Sequence, residues 1–224
     1  NSDNGKVILR INRATQESLN FDAKSLPPIL GFTITDNGCG FNETNFKSFE
    51  TLDSDHKIDK GCRGVGRLMW LKVFDLVEVE SHFLDADGEL KKRAFRFDEK
   101  SGVHGEQVIA ATEQLSGTRI KLVNFKESYQ KSAPIKAQTI ANQLLEHVLW
   151  YYVRQGSAPK ILVDDAGDVF DLDHLLEEHM HASAFLETIE IRDYSFDLTH
   201  IKFRASVNKK HQLALCAANR LVKE

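Results

Sequence analysis

The chain is poor in cysteine, with Cys39, Cys62 and Cys216 its full complement. Three thiols are odd in number and follow no metal-ligand spacing. They exclude a disulfide scaffold and a structural zinc site, and they imply reduced thiols in a cytoplasmic protein. No stretch reaches eighteen consecutive apolar residues and no secretory signal pattern is visible, so a membrane-spanning helix is not expected here. An excess of charge of one sign is also missing. With 29 basic and 33 acidic residues the net charge is −4, which gives no general attraction to nucleic acid or to an anionic membrane. Internal repeats and low-complexity tracts are likewise lacking. What remains is a 224-residue chain with 42% hydrophobic residues, enough to build one large domain and the start of another.

Periodicity divides the chain. Lys6 to Asn12 places Val7, Leu9 and Ile11 on one face, which is strand spacing. Residues 13 to 28 read as a polar loop ending in Pro27-Pro28, and Ile29 to Thr35 as a second strand closed by Asp36-Asn37-Gly38. A short helix fits within Phe41 to Glu50, an exposed loop spans residues 51 to 63, and a buried helix runs from Val65 to Phe74. Strands follow at Leu76 to Phe83, Arg93 to Phe97 and Thr118 to Phe125, with a hairpin turn at Asp85 to Gly88.

Pro134 suits a first helical turn with Ser132 as cap, and Ile140, Leu144, Val148 and Tyr152 carry that helix to about Arg154. Ile161 to Val163 and Val169 to Leu172 flank a second hairpin turn at Ala166-Gly167, and a short helix covers residues 173 to 181. Strands return at Thr188 to Ile191, Phe196 to Val207 and Gln212 to Cys216. Strands first and last with helices between them predict α+β: a two-layer sandwich, a mixed and mostly antiparallel sheet with helices on one face. A boundary near residue 183 separates residues 1–183 from residues 184–224, the start of a second α/β-type domain. The loop at Asn1 to Gly5 runs straight into a strand and Leu221 to Glu224 stops after an apolar run, so a piece of a longer protein is expected.

Three motifs carry chemistry. Asp36-Asn37-Gly38-Cys39-Gly40 ends a strand; its carboxylate accepts from an exocyclic amine such as that of adenine, and its glycines allow a turn that Cβ atoms block. The same five residues also read as an ordinary Asp-Asn-Gly turn. Gly61-Cys62-Arg63-Gly64-Val65-Gly66 precedes a helix, where bare amides and the helix start favour phosphate. No Gly-Lys-Ser/Thr follows it and its spacing is not that of the dinucleotide fingerprint, so neither of those sites is supported; a hinge before a core helix is the plain alternative. Ser116-Gly117-Thr118 opens a strand, and its hydroxyl can hold a water beside a purine.

In that order and context the three motifs resemble the GHKL superfamily with its Bergerat fold: heat-shock chaperone ATPases, DNA gyrase B, MutL, microrchidia proteins and histidine kinases. The resemblance covers residues 6 to about 155. It implies an ATP-binding domain using ATP and Mg²⁺. Asp36 takes the adenine amine, Gly38 and Gly40 pass close to the base, and Thr118 supports adenine through water. Gly61, Gly64, Val65 and Gly66 wrap the phosphates, residues 41 to 63 form a lid, and Arg67 and Lys57 are cations within reach of phosphate.

The family's helix with a general-base glutamate and a magnesium-binding asparagine precedes the first strand. With the first strand at Lys6, no catalytic or metal-binding residue is expected in this chain; Asn1 and Asn4 lie in a loop, and Asn142 and Glu146 stand in the reversed order. Leu213 to Val222 resembles the strand and Asn-Arg turn of the MutL transducer domain. That favours the chaperone, MutL and microrchidia branch, in which a lysine from the next domain meets the terminal phosphate; Lys209 and Lys210 are the lysines at hand.

The function implied is an ATP-driven conformational switch with slow hydrolysis, a homodimer in the full-length protein, with the client protein or DNA open. Two alternatives stand beside it. A histidine kinase catalytic domain needs a phosphoacceptor that His82, His104 and His147 do not supply. A non-hydrolysing interaction platform would use the same scaffold.

Overall fold

The computed structural model describes residues 5–15, 26–51, 66–112, 115–154, 158–179, 185–200, 215–217 and 220–223. Its centre is an eight-stranded sheet ordered β5-β4-β3-β6-β2-β1-β7-β8. The strands are β1 (Lys6–Arg13), β2 (Ile29–Asp36), β3 (Phe74–Leu84), β4 (Leu90–Asp98), β5 (Gly102–Ala110), β6 (Gly117–Phe125), β7 (Lys160–Asp165) and β8 (Asp168–Asp171). Only β1 and β7 pair in parallel; every other neighbour is antiparallel. The helices are α1 (Glu43–Glu50), α2 (Leu68–Val73), α3 (Glu127–Gln130), α4 (Ala137–Arg154) and α5 (Leu172–His179). This is the α+β, two-layer arrangement that the periodicity predicts.

Alternation on the central strand β3 sets the two layers. Val77, Val79, Ser81 and Phe83 are buried, while Glu78 and Glu80 point the other way. On that outer face Glu78 lies 3.6 Å from Arg96 and 3.5 Å from Lys121. Glu80 lies 3.4 Å from Lys92 and 3.9 Å from Arg119. Such solvated pairs contribute little each, but they keep this face in water and fix which side receives the helices.

The inner face carries two apolar clusters. Phe46 of α1 and Leu71 of α2 pack on Val77, Val79, Phe95, Phe97 and Leu122, whereas α4 and α5 bring Ala141, Leu145, Leu172 and Leu175 onto Ile11, Ile161 and Val163. Phe32 and Phe125 touch both and join them into one layer.

Two local expectations are corrected, and β5, in a stretch where periodicity predicts no element, is an edge strand. The helix expected over Val65–Phe74 is α2, Leu68–Val73, and Phe74 already opens β3. Ser132 does not cap α4: its Oγ donates to the Tyr129 carbonyl 3.1 Å away, closing α3, and α4 starts at Ala137.

Beyond the main sheet, β9 (Phe185–Ile191) pairs with β10 (Tyr194–His200) and β11 (Leu215–Ala217) with β12 (Arg220–Lys223), each pair a separate two-stranded sheet. The boundary near 183, Lys209 and Lys210 lie outside the described residues, as do Leu213, Ala214, Ala218 and Asn219 of the Leu213–Val222 motif. Among the described residues no helix is long and apolar enough to cross a membrane.

Candidate functional site

The register of the sheet aligns a polar row across four strands. Asp36 on β2 is the Cα partner of Thr118 on β6, Thr118 of Ser81 on β3, and Ser81 of Arg93 on β4. Partners across a ladder share a face, so all four side chains emerge on the inner face at one end of the sheet. Asp36 ends β2, and its Oδ1 accepts from the Gly38 amide at 2.8 Å. Asn37 anchors the turn to β1 by accepting from the Lys6 amide at 2.7 Å.

Bare backbone is a steric requirement at one of the predicted glycines, Gly40. At Gly38 a Cβ would meet only the end of the Asp36 side chain, its Oδ1 at 2.7 Å, which can turn aside. Gly40 adopts φ +74°, and a Cβ there would lie 2.2 Å from the His82 carbonyl oxygen and 2.8 Å from the Ser81 Oγ. A third glycine of the motifs behaves alike: a Cβ on Gly117 would fall 2.5 Å from the Asp36 carbonyl oxygen. The turn after β2 is therefore pressed onto β3 and β6, with Gly40 and Gly117 in close contact with neighbouring backbone.

The strand-to-helix link beyond Gly40 is strapped down. Asn45 Nδ2 donates to the Gly40 carbonyl at 2.9 Å, and Asn42 caps α1 by accepting from the Asn45 amide at 2.9 Å. The Phe41 amide donates to the Ser81 Oγ at 2.8 Å, and the Phe41 carbonyl accepts from Arg93 at 2.6 Å. Arg93 is 1% exposed. It also pairs with Glu43, approaches Glu106 at 2.9 Å and lies 4.4 Å and 4.9 Å from the Phe46 and Phe83 ring centroids. Thr118 is 7% exposed, and its Oγ1 is 3.1 Å from the Ser81 Oγ.

The glycine loop is only partly in view. Gly61, Gly64 and Val65 lie outside the described residues, as do Lys57 and the rest of residues 52–65 of the expected lid. A Cβ on Gly66 would meet nothing within 4 Å. Arg67 is 8% exposed; its guanidinium donates to the Thr51 carbonyl at 3.0 Å and lies 5.2 Å from the Phe49 ring centroid. Burial holds it below the usual arginine range. Gly66 and Arg67 thus stand at the C-terminal end of α1, about 12 Å along an eight-residue helix from the end fed by Gly40.

A cleft of 760 Å³ opens beside Arg67, lined by Phe49, Leu71, Phe97, Val103 and Lys126 among others. Lys126 follows the last residue of β6 while Thr118 is near its first, so this cleft is at the far end of the sheet from Asp36 and takes in none of Asp36, Gly38, Gly40 or Thr118. Among the described residues no three His, Cys, Asp or Glu side chains cluster.

Ser81 and Arg93 were not singled out in sequence. Each reads as one residue of an alternating strand, and only the β3–β6 and β3–β4 registers bring them into the row.

The fold is that of an α+β sandwich with its polar row at one sheet end. No protein-family model matches the chain, and no curated protein does. Solved structures of similar fold include the 43K ATPase domain of Thermus thermophilus gyrase B in complex with an aminocoumarin, 14% identical, covering 88% of this chain and 51% of that one, TM-score 0.46. The ATPase region of Saccharomyces cerevisiae topoisomerase II is 14% identical and covers 83% of this chain and 49% of that one, TM-score 0.47. The same region bound to ICRF-187 (dexrazoxane) is 14% identical, with 74% and 42% covered and TM-score 0.43. The chain spans about half the length of these structures.

Proposed function

We propose that this chain is the ATP-binding domain of a GHKL-type ATPase that works as an ATP-driven conformational switch with slow hydrolysis. One observation carries the reading: Asp36 stands on the inner face beside Thr118, at a turn that Gly40 packs closely against the β3 backbone. The Asp36 carboxylate accepts the adenine amine, and the bare backbone lets the base approach. Gly61, Gly64, Val65 and Gly66 hold the phosphates through their backbone amides. Arg67 shapes the C-terminal end of α1 through Thr51 and Phe49.

The ATP-binding domain takes residues 1–183 and a second domain begins at 184. The full-length protein is a cytoplasmic homodimer of the chaperone, MutL and microrchidia branch. Hydrolysis itself requires a base and a magnesium ion, and no residue of this chain is assigned to either role.

Isothermal titration of the intact protein with ATP, a non-hydrolysable analogue and ADP tests the reading. Saturable heat with ATP, competed by ADP and lost in Asp36→Asn, is expected. Absence of binding to the unaltered protein would end it.

A further inference from the structure

Ser81 sits between the turn that carries Asp36 and the hydroxyl of Thr118, and its hydrogen bonds can be counted. A serine hydroxyl has one proton and two lone pairs. The Phe41 amide occupies one lone pair at 2.8 Å. Two further neighbours remain, the Gly117 carbonyl at 3.2 Å and the Thr118 Oγ1 at 3.1 Å. The carbonyl can only accept, so it takes the Ser81 proton, and Thr118 then donates into the second lone pair. This arrangement makes all three bonds. The reverse, with Ser81 donating to Thr118, leaves the Gly117 carbonyl without that bond and makes one fewer, a cost that burial enlarges.

The consequence is a fixed polarity. With its proton committed to Ser81, Thr118 is left with lone pairs alone, and its partner across the ladder is the Asp36 carboxylate, also an acceptor. The row presents acceptors side by side, which suits direct contact with an exocyclic amine through its two N–H groups. A base bearing a carbonyl at that position finds no donor. We propose that Ser81 is a specificity-determining residue, selecting aminopurine over oxopurine nucleotides by holding the Thr118 proton and, through the Phe41 amide, the register of the Asp36 turn. The inference rests on the nucleotide reading above and adds to it a residue that acts through Thr118.

The test compares dissociation constants for ATP and for inosine triphosphate, which carries a carbonyl in place of the adenine amine. Unaltered protein, Ser81→Ala, Ser81→Thr and Thr118→Val are measured, with thermal melts on each. The unaltered protein should prefer ATP. Ser81→Ala frees the Thr118 proton to donate toward the inosine carbonyl, so the preference should shrink by about tenfold, the effect of one hydrogen bond reversed. Ser81→Thr, which keeps the hydroxyl, should retain the preference.

In a Thr118→Val background, Ser81→Ala should leave the ratio of the two constants unchanged. A ratio untouched by Ser81→Ala, or an equal loss for both nucleotides, overturns the role of Ser81 while leaving the ATP site standing. Failure of the unaltered protein to bind either nucleotide overturns both.

Discussion

Gly40 crosses β3 so closely that a Cβ on it would lie 2.2 Å from the His82 carbonyl oxygen. The carbonyl belongs to a sheet strand and cannot swing away, and φ at Gly40 is +74°, which an L side chain rarely adopts. Gly40→Ala should therefore lose on the order of 3 kcal/mol in urea unfolding, from strain and clash together. Gly66→Ala is the control. A Cβ there meets nothing within 4 Å, so stability should stay within about 0.5 kcal/mol. If the Gly66 amide serves phosphate, that variant should change nucleotide affinity without changing the unfolding midpoint.

Arg93 is the buried charge on which the turn leans. It satisfies the Phe41 carbonyl, pairs with Glu43 and Glu106, and is flanked by two phenylalanine rings. Arg93→Met keeps much of the stem but strands the carbonyl, so a loss of about 3 kcal/mol is expected. Arg93→Lys should recover only part of it, because a single ammonium cannot reproduce the fork. Denaturant unfolding of the three proteins checks the order. Equal stability of Arg93→Met and the unaltered protein would mean that the cluster contributes nothing net.

How far the sequence discloses this arrangement depends on the residue. Asp36, Gly38 and Gly40 read alone as an ordinary Asp-Asn-Gly turn, and only the later glycine loop and Gly117-Thr118 single them out. The alternation of Val77, Val79 and Phe83 with Glu78 and Glu80 fixes β3 and its faces. β5 is not legible. Its residues are mostly exposed, Gly102 and Gly105 have positive φ, and the β4–β5 register shifts between Ala94 and Arg96. An edge strand of that kind has no buried face to impose a period of two. Ser81 and Arg93 are hidden for a different reason. Their importance comes from which strands lie beside β3, and pairing between strands distant in sequence leaves no local mark.

A second buried ion pair ties the other half of the sheet. Arg13 meets Asp165 through two bonds of 2.7 Å and also donates to the Pro27 and Ile135 carbonyls at 2.8 Å each. One side chain thus joins the end of β1, the β7–β8 turn, the segment before β2 and the approach to α4. Arg13→Ala leaves Asp165 and two carbonyls without it and should cost about 3 kcal/mol. Replacing both partners, as Arg13→Met with Asp165→Leu, should cost less than the sum of the single changes in a double-mutant cycle. Additive losses would show that the two side chains do not interact energetically.

Where α4 meets α5, rising pH rather than acidity should weaken the fold. Burial and the neighbouring Asp171 push the Asp173 carboxyl above the usual range. The Tyr152 hydroxyl is pushed up by burial and by Asp173 and Asp171, and it lies buried without a well-formed hydrogen bond. A raised folded-state pKa contributes stability that is fully present below the unfolded value and is lost as pH rises through the folded one. For Asp173 that loss begins near the ordinary aspartate value of about 3.9. Thermal melts of Asp173→Asn should therefore gain on the unaltered protein as pH rises from about 4 toward neutrality, and run parallel to it above that window. Tyr152 repeats the logic at the alkaline end. Above about pH 10 the unfolded chain ionises its tyrosine while the folded one resists, so the unaltered protein should lose Tm more steeply than Tyr152→Phe. Curves that stay parallel across both windows would show that Asp173 and Tyr152 titrate alike in the folded and unfolded chains.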